Sequence, residues 1–182
     1  RRLRPQDLGL LASQGFDEVT VKPPLRVALL STGSELREAG SGELPPGGIY
    51  NSNRPMLAAM LAALGCVVVD RGIVEDTPVA TRAALEGAAQ DSDLILTTGG
   101  VSVGEPDHVR DAVAALGSLD LWRVAVKPGK PFAFGEVRGI PFMGLPGNPA
   151  SAFVTYALLA RPWICARQGR SDRSVPPLVA RA

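Results

Sequence analysis

The stretch DLILTTGG at residues 93–100 is the strongest indication of the fold, because a continuous apolar run ends there in two glycines. A short apolar run bounded by turn residues is typical of a strand that is buried on both faces of a sheet. Similar runs occur on both sides of this stretch and predict a sheet of several strands. The other strands are expected at residues 26–30, 66–69, 121–126, 132–136 and 140–145.

Helical patterns alternate with these strands. Apolar residues recur at helical spacing over residues 53–64. Thr77 and Pro78 suit the N-cap and the first position of the next helix. Further helices are expected at residues 5–14, 78–90, 107–116 and 149–166. The alternation predicts an α/β fold, a three-layer αβα arrangement around a mostly parallel sheet, with ligands bound beyond the carboxyl ends of the strands.

The composition argues against several classes of protein. The chain of 182 residues has a net charge of +1, so no strongly basic surface indicates nucleic-acid binding. It contains no apolar run long enough to span a bilayer, and we expect no membrane partner. The two cysteines, Cys66 and Cys165, are too few for a disulfide framework. They favour a reducing compartment and therefore a cytoplasmic location.

Two loops with possible chemistry follow predicted strands. Residues 31–35 place a carboxylate, Glu35, directly after the first strand, although an acidic residue there can also simply favour a helix start. Residues 98–107 contain several glycines, which let the backbone approach an anion closely and donate N–H groups to a phosphate. Asp107 ends this loop at a predicted helix start, where it can cap the helix, hold a metal ion, or do both.

Two further loops lie at later strand ends. Residues 127–131, with the sequence KPGKP, present two lysines on a loop stiffened by prolines, which suits an oxyanion such as phosphate or molybdate. Residues 144–151 form a strand end, a tight turn and a helix start. In that turn Asn148 suits a helix cap and Pro149 the first helical position, with or without a ligand.

Three more residues lie near strand ends or helix starts. Asp76 can cap the helix that begins near residue 78 or coordinate a cation, and Arg123 can pair with an anion. His108 is the single histidine of the chain. We interpret it as a residue on the helix surface, because the sequence offers no second histidine or suitable cysteine for a catalytic triad or a zinc site.

Taken together, the four loops resemble molybdopterin molybdenumtransferases, the family that includes the E region of gephyrin. The motifs are Thr-Gly-x-Glu-Leu at 32–36, Gly-Gly-Val-Ser-x-Gly-x-x-Asp at 99–107, Lys-Pro-Gly-Lys-Pro at 127–131 and Leu-Pro-Gly-Asn-Pro-x-Ser at 145–151. The resemblance covers about residues 5–169. It implies a molybdopterin-binding, MogA-like domain and an enzyme that ligates molybdate to adenylylated molybdopterin with release of AMP, aided by Mg²⁺.

The resemblance also implies roles for individual residues. The catalytic positions that it matches are Glu35, Asp76, Asp107, Lys127 and Lys130, with Glu35 and Asp107 as ligands of Mg²⁺. The positions expected to bind molybdopterin or its adenylylated form are Thr32, Gly33, Gly99, Gly100, Ser102, Gly104, Arg123, Pro146, Gly147, Asn148, Pro149 and Ser151. The sequence departs from the family pattern at Ser34, where Asp is frequent, and at Arg123, where Lys is common.

The resemblance divides the chain into three parts. Residues 1–24, with a strand-like segment at 18–21, are expected to be the end of a preceding β domain and a linker. Residues 25–169 form the molybdopterin-binding domain, and residues 170–182 enter a C-terminal β domain. The family implies a homodimer for the full-length protein. Two alternatives stay open: a molybdopterin adenylyltransferase of the same fold, and a molybdopterin-binding scaffold without catalytic activity.

Overall fold

The central feature of the computed structural model, which describes residues 3–101 and 107–170, is a sheet of six strands. The strands are β1 (Arg26–Thr32), β4 (Val67–Val74), β5 (Leu94–Thr98), β6 (Gly117–Arg123), β7 (Pro131–Val137) and β8 (Ile140–Leu145). Their spatial order is β4-β1-β5-β8-β7-β6. The pairings from β4 to β8 are parallel, and β7 is antiparallel to both of its neighbours. The prediction of a mostly parallel sheet is therefore confirmed.

Two interior strands of the sheet, β1 and β5, are the ones with continuous apolar runs. Every residue of β5 is buried, and so is every residue of β1 after Arg26. Strands covered on both faces read as unbroken apolar runs, because neither set of alternating side chains contacts water. The edge strand β4 is only partly buried, as expected for a strand with one hydrogen-bonded neighbour.

Helices cover both faces of the sheet and complete the three-layer arrangement. They are α1 (Pro5–Ser13), α2 (Asn53–Ala63), α3 (Pro78–Asp91), α4 (His108–Leu116), α5 (Pro149–Thr155) and α6 (Arg161–Arg167), with a π-helical turn at Tyr156–Ala160. On one face, Leu57 of α2 and Ile164 of α6 pack in a core with Leu29 of β1. On the other, Leu85 of α3 and Val113 of α4 pack in a second core. Both cores are hydrophobic, so burial holds both helical layers to the sheet.

The structure differs from the predicted elements in several places, one of which is β4, predicted at 66–69 but extending from Val67 to Val74. The strand predicted at 18–21 is wrong: this exposed segment has no regular structure, and no strand of the described part of the chain pairs with it. The strand predicted at 121–126 begins earlier, at Gly117, directly after α4. The last predicted helix contains the π-helical turn. A short parallel pair, β2 (Leu36–Arg37) with β3 (Ile49–Tyr50), brackets the loop predicted at 39–48.

Membrane insertion finds no support in these elements: within residues 3–101 and 107–170, no helix combines the length and the apolar character that crossing a bilayer requires.

Candidate functional site

A cleft of about 650 Å³ opens at the carboxyl ends of β1, β5 and β8. This is the edge of a parallel sheet at which ligands bind, because the loops after neighbouring strands converge there. Most of the predicted site residues line the cleft: Thr32, Gly33, Glu35, Asp76, Gly99, Gly100, Asp107, Pro146, Gly147, Asn148, Pro149 and Ser151. The predicted binding residues Ser102 and Gly104 lie outside the described residues.

The predicted basic residues are not among the lining residues. Arg123, Lys127 and Lys130 are exposed to solvent, although Pro131, which directly follows Lys130, lines the cleft. Long basic side chains keep their charged ends in water, so a lysine at a strand end does not have to point into the adjacent cleft. The part of the lining that the structure describes contains carboxylates and one imidazole but no lysine or arginine.

The loop that carries these lysines is fastened at Gly129. This glycine is buried and has a φ of +119°, and an added Cβ would lie 2.5 Å from Cγ2 of Thr155 on α5. The loop backbone therefore approaches α5 more closely than any larger residue permits. This contact holds the backbone of the lysine loop against α5.

Two glycines at the end of β5 are required by close packing. Gly99 has a φ of +85°, and an added Cβ would lie 2.2 Å from the carbonyl oxygen of Thr32 at the end of β1. Gly100 has a φ of +65°, and its added Cβ would lie 2.4 Å from Cγ2 of Val109 on α4. The glycines predicted to admit an anion therefore also allow β1, β5 and α4 to meet at the floor of the cleft.

Asp107 has one carboxylate oxygen in a helix cap and one that is unused. Oδ1 accepts a hydrogen bond of 3.0 Å from the backbone N–H of Arg110, so the cap interpretation is confirmed. Burial raises the pKa of the Asp107 carboxyl, and hydrogen bonds from the backbone of Arg110 and Val109 oppose this rise. Oδ2 is buried and has no hydrogen-bond partner among the described residues. A capping role therefore leaves half of the carboxylate available to a ligand or a cation.

Glu35 and Asp76 bring two further carboxylates to the cleft. An added Cβ at Gly33 would lie 2.7 Å from Oε2 of Glu35, so the glycine leaves room for this carboxylate to fold back over the end of β1. Asp76 does not cap α3, because the side chain of Thr77 accepts the N-cap bond from Ala80. No group of three or more metal-ligating His, Cys, Asp or Glu side chains occurs in the described ranges.

The turn after β8 combines a helix cap with the cleft wall. Oδ1 of Asn148 accepts a hydrogen bond of 3.2 Å from the N–H of Ser151, and Pro149 is the first residue of α5. The predicted cap is therefore confirmed, and it lies in the lining of the cleft.

The segment between β1 and α2 forms one wall of the cleft. Leu36 of β2 and Ile49 of β3 both line it. Arg54 on α2 ties this segment to the sheet, because its guanidinium contacts the carboxylates of Glu38 and Asp70. The bond to Asp70 is 2.6 Å long. The sequence did not predict this wall, since a two-residue strand has no hydrophobic pattern of its own.

Sequence reasoning missed four polar residues of the lining: Asn51, Asn53, Thr98 and His108. His108 was interpreted as a residue of the helix surface, but its half-buried side chain faces the cleft. Oδ1 of Asn51 accepts a hydrogen bond from the backbone N–H of Arg54 and thereby caps the start of α2. A helix-start asparagine looks the same in sequence whether or not it faces a cleft, so no local signal separated these roles.

The family model for probable molybdopterin binding domains matches residues 28–166, which form most of the chain and all of the cleft described above. The chain belongs to this family. Its six-stranded sheet and flanking helices are thus those of a probable molybdopterin-binding domain, and the resemblance inferred from the four loops is confirmed.

Relatives of this molybdopterin-binding domain carry related names. The chain is 43% identical to molybdopterin molybdenumtransferase of Haemophilus influenzae over 97% of its own length, and 40% identical to molybdopterin molybdenumtransferase 2 of Mycobacterium tuberculosis over 92%. The crystal structure of a molybdopterin biosynthesis MoeA protein from Pyrococcus horikosii superposes with a TM-score of 0.83 at 31% identity over 95% of the chain. In each case the chain spans 43% of the other protein.

Proposed function

We propose that this chain is the substrate-binding domain of a molybdopterin molybdenumtransferase, which ligates molybdate to adenylylated molybdopterin and releases AMP. The observation that carries the proposal is the cleft itself, where a glycine loop, a helix start and three carboxylates converge at the carboxyl ends of β1, β5 and β8. The chain that contains this cleft is 43% identical to a protein named for the reaction.

The phosphate-bearing part of the substrate is assigned to the glycine loop. The backbone at Gly99 and Gly100 is open to a close approach, and the nine-residue helix α4 begins at the cleft with its positive dipole end. The remaining substrate contacts are assigned to Thr32, Gly33, the turn at 146–149 and Ser151, which also line the cleft. Ser102 and Gly104 stay in the proposal on the basis of the motif alone.

The carboxylates of the cleft fit a bound Mg²⁺. Three carboxylates without a basic residue in the described lining would repel a phosphate, so a cation between them and the substrate resolves the mismatch. Mg²⁺ needs only one or two protein carboxylates besides water and substrate phosphates. The unused Oδ2 of Asp107 and the carboxylate of Glu35 are the proposed ligands. When bound, Mg²⁺ would offset the negative charge that develops as the phosphoanhydride linkage breaks.

The remaining charged residues have supporting roles in the proposal. Asp76 helps to orient the bound cation or its waters from the end of β4. Arg123, Lys127 and Lys130 attract molybdate and phosphate from their exposed positions, since positive charge near a cleft raises the local concentration of anions. No protein nucleophile is required, because the molybdate oxygens and the dithiolene sulfurs are themselves the reacting groups.

The wider setting of the domain follows the same assignment. We propose that residues 25–169 are the domain that binds molybdopterin, that residues 1–24 and 170–182 connect to neighbouring β domains, and that the full-length protein is a cytoplasmic homodimer. The ligands are small molecules.

The decisive test supplies the protein with adenylylated molybdopterin, molybdate and Mg²⁺ and measures AMP by chromatography. Release that requires molybdate supports the proposal. Incubation with molybdopterin and ATP is the control for the adenylyltransferase alternative. Formation of adenylylated molybdopterin in this control would contradict the proposed molybdenumtransferase function. Tight binding of molybdopterin without turnover under either condition would indicate the scaffold alternative.

A further inference from the structure

Asn53 joins two loops of the cleft that are far apart in the sequence. Its side-chain Nδ2 donates a hydrogen bond of 2.8 Å to Oγ1 of Thr98, at the end of β5. The same Nδ2 donates a second bond of 2.7 Å to the carbonyl oxygen of Gly147, in the turn after β8. Both hydrogens of this amide are therefore used, one on each loop.

The two loops also contact each other at the point where Asn53 holds them. The backbone N–H of Gly99 donates to the carbonyl oxygen of Leu145 over 3.1 Å. Thr98 connects Asn53 to the last turn a second time, because its hydroxyl donates a hydrogen bond of 3.3 Å to the carbonyl oxygen of Pro146. An added Cβ at Gly147 would lie 3.8 Å from the Cα of Gly99. The glycine loop and the last turn thus form one connected unit.

Burial makes this link strong. Asn53 is 6% exposed and Thr98 is 2% exposed, so water cannot easily replace the bonds if the amide is removed. Asn53 is also the first residue of α2, a helix of eleven residues whose Leu57 and Leu61 are fully buried. The amide is therefore anchored to the core through α2, and its hydrogen bonds link two irregular loops to this packed helix.

We propose that Asn53 is a positioning residue for the ligand cleft: it fixes the glycine loop at 98–101 and the turn at 146–149 in one arrangement. The inference rests on the proposed function, because these loops are the ones assigned to the substrate. Asn53 also lines the cleft, and its buried Oδ1 has no partner among the described residues, so the exchange rate at Gly99 without ligand is the readout that reports its bonds to Thr98 and Gly147 separately from any contact with the substrate. A shift of about 1 Å in such loops weakens binding and reaction strongly, since substrate contacts depend on their relative position.

The test uses two readouts on the variants Asn53→Ala, Thr98→Val and Thr98→Ser and on the double variant of Asn53→Ala with Thr98→Val. The first is the hydrogen-exchange rate of the Gly99 amide without ligand, and the second is the dissociation constant for molybdopterin, titrated anaerobically. Thr81→Val is the matched control. Thr81 is a buried threonine on α3 whose hydroxyl has no partner in the described chain, and it does not line the cleft.

We expect Asn53→Ala to accelerate exchange at Gly99 by about tenfold and to weaken molybdopterin binding by about tenfold, while the protein stays folded. Thr98→Val should produce part of both effects, Thr98→Ser almost none, and the double variant less than the sum of the single changes, because the two residues share one link. Thr81→Val should leave both readouts unchanged.

Two results would overturn the inference: parental exchange and affinity in a folded Asn53→Ala variant, or fully additive effects of the two single changes. A lower melting temperature without either effect would mean that Asn53 serves stability alone, and the inference would fail. If the parent protein does not bind molybdopterin, the proposed function fails, and the exchange rate at Gly99 still decides whether Asn53 holds the two loops.

Discussion

Replacing Gly99 with alanine should destabilise the protein far more than an ordinary glycine-to-alanine change. The φ of +85° places an alanine in the left-handed region, at a cost of about 1–2 kcal/mol. The new Cβ would also lie 2.2 Å from the carbonyl oxygen of Thr32, a backbone atom that cannot rotate away. Forcing such an overlap apart costs about 1–3 kcal/mol in a packed interior. The expected loss in the free energy of unfolding is therefore about 2–5 kcal/mol.

Gly139 provides a matched control, because it isolates the conformational part of this cost. It lies in the turn between β7 and β8 with a φ of +79°, and no atom lies within 4 Å of an added Cβ. Gly139→Ala should cost only about 1–2 kcal/mol. The gain from a stiffer unfolded chain is the same for both substitutions and cancels in the comparison. The difference between the variants therefore measures the contact between β5 and β1.

Urea unfolding followed by circular dichroism measures both free energies, and an unchanged m-value would show that the extent of unfolding is comparable. Equal losses for Gly99→Ala and Gly139→Ala would refute the reasoning. That result would mean that the end of β1 yields to the new methyl group without cost, so that close packing does not require a glycine at the floor of the cleft.

Three further substitutions separate stability from function. Asp107→Asn should abolish most Mg²⁺-dependent AMP release but keep the cap, because asparagine caps as well as aspartate; normal AMP release would leave the cap as its sole role. Because burial raises the pKa of this carboxyl in the folded state, its ionisation lowers the free energy of unfolding as the pH rises above the ordinary aspartate range. Urea titrations at several pH values should show that the variant lacks this part of the decline. Thr32→Val removes a buried hydroxyl that has no partner in the described chain, so the melting temperature should hardly change while the affinity for molybdopterin falls. The same loss of affinity in the Thr81→Val control would contradict a role of Thr32 in the cleft. Gly129→Ala should push the lysine loop away from Thr155 and thereby raise the KM for molybdate. An unchanged KM would show that the position of the loop does not matter.

Sequence reasoning succeeded where the signal was local and failed where a partner had to be known. The buried strands at 26–32 and 94–98 follow from the apolar runs at 27–30 and 94–96, which are typical of strands buried on both faces. The segment at 18–21 alternates polar residues with valines, but no strand of the described residues pairs with it, and a strand without a partner does not form. The lysines of the loop at 127–131 were recognised by type, but the direction of a long side chain depends on what surrounds it.

The sequence by itself determined the α/β fold and the edge of the sheet where the cleft lies, because apolar periodicity sets the elements and parallel strands bring their carboxyl ends together. It also determined the caps at Asp107 and Asn148, since a cap bonds to backbone within three residues. Only the tertiary structure decided that one oxygen of Asp107 is unused and that Asn53 holds two loops. The partners of Asn53 lie 45 and 94 residues away, and no local pattern specifies a hydrogen bond across that distance.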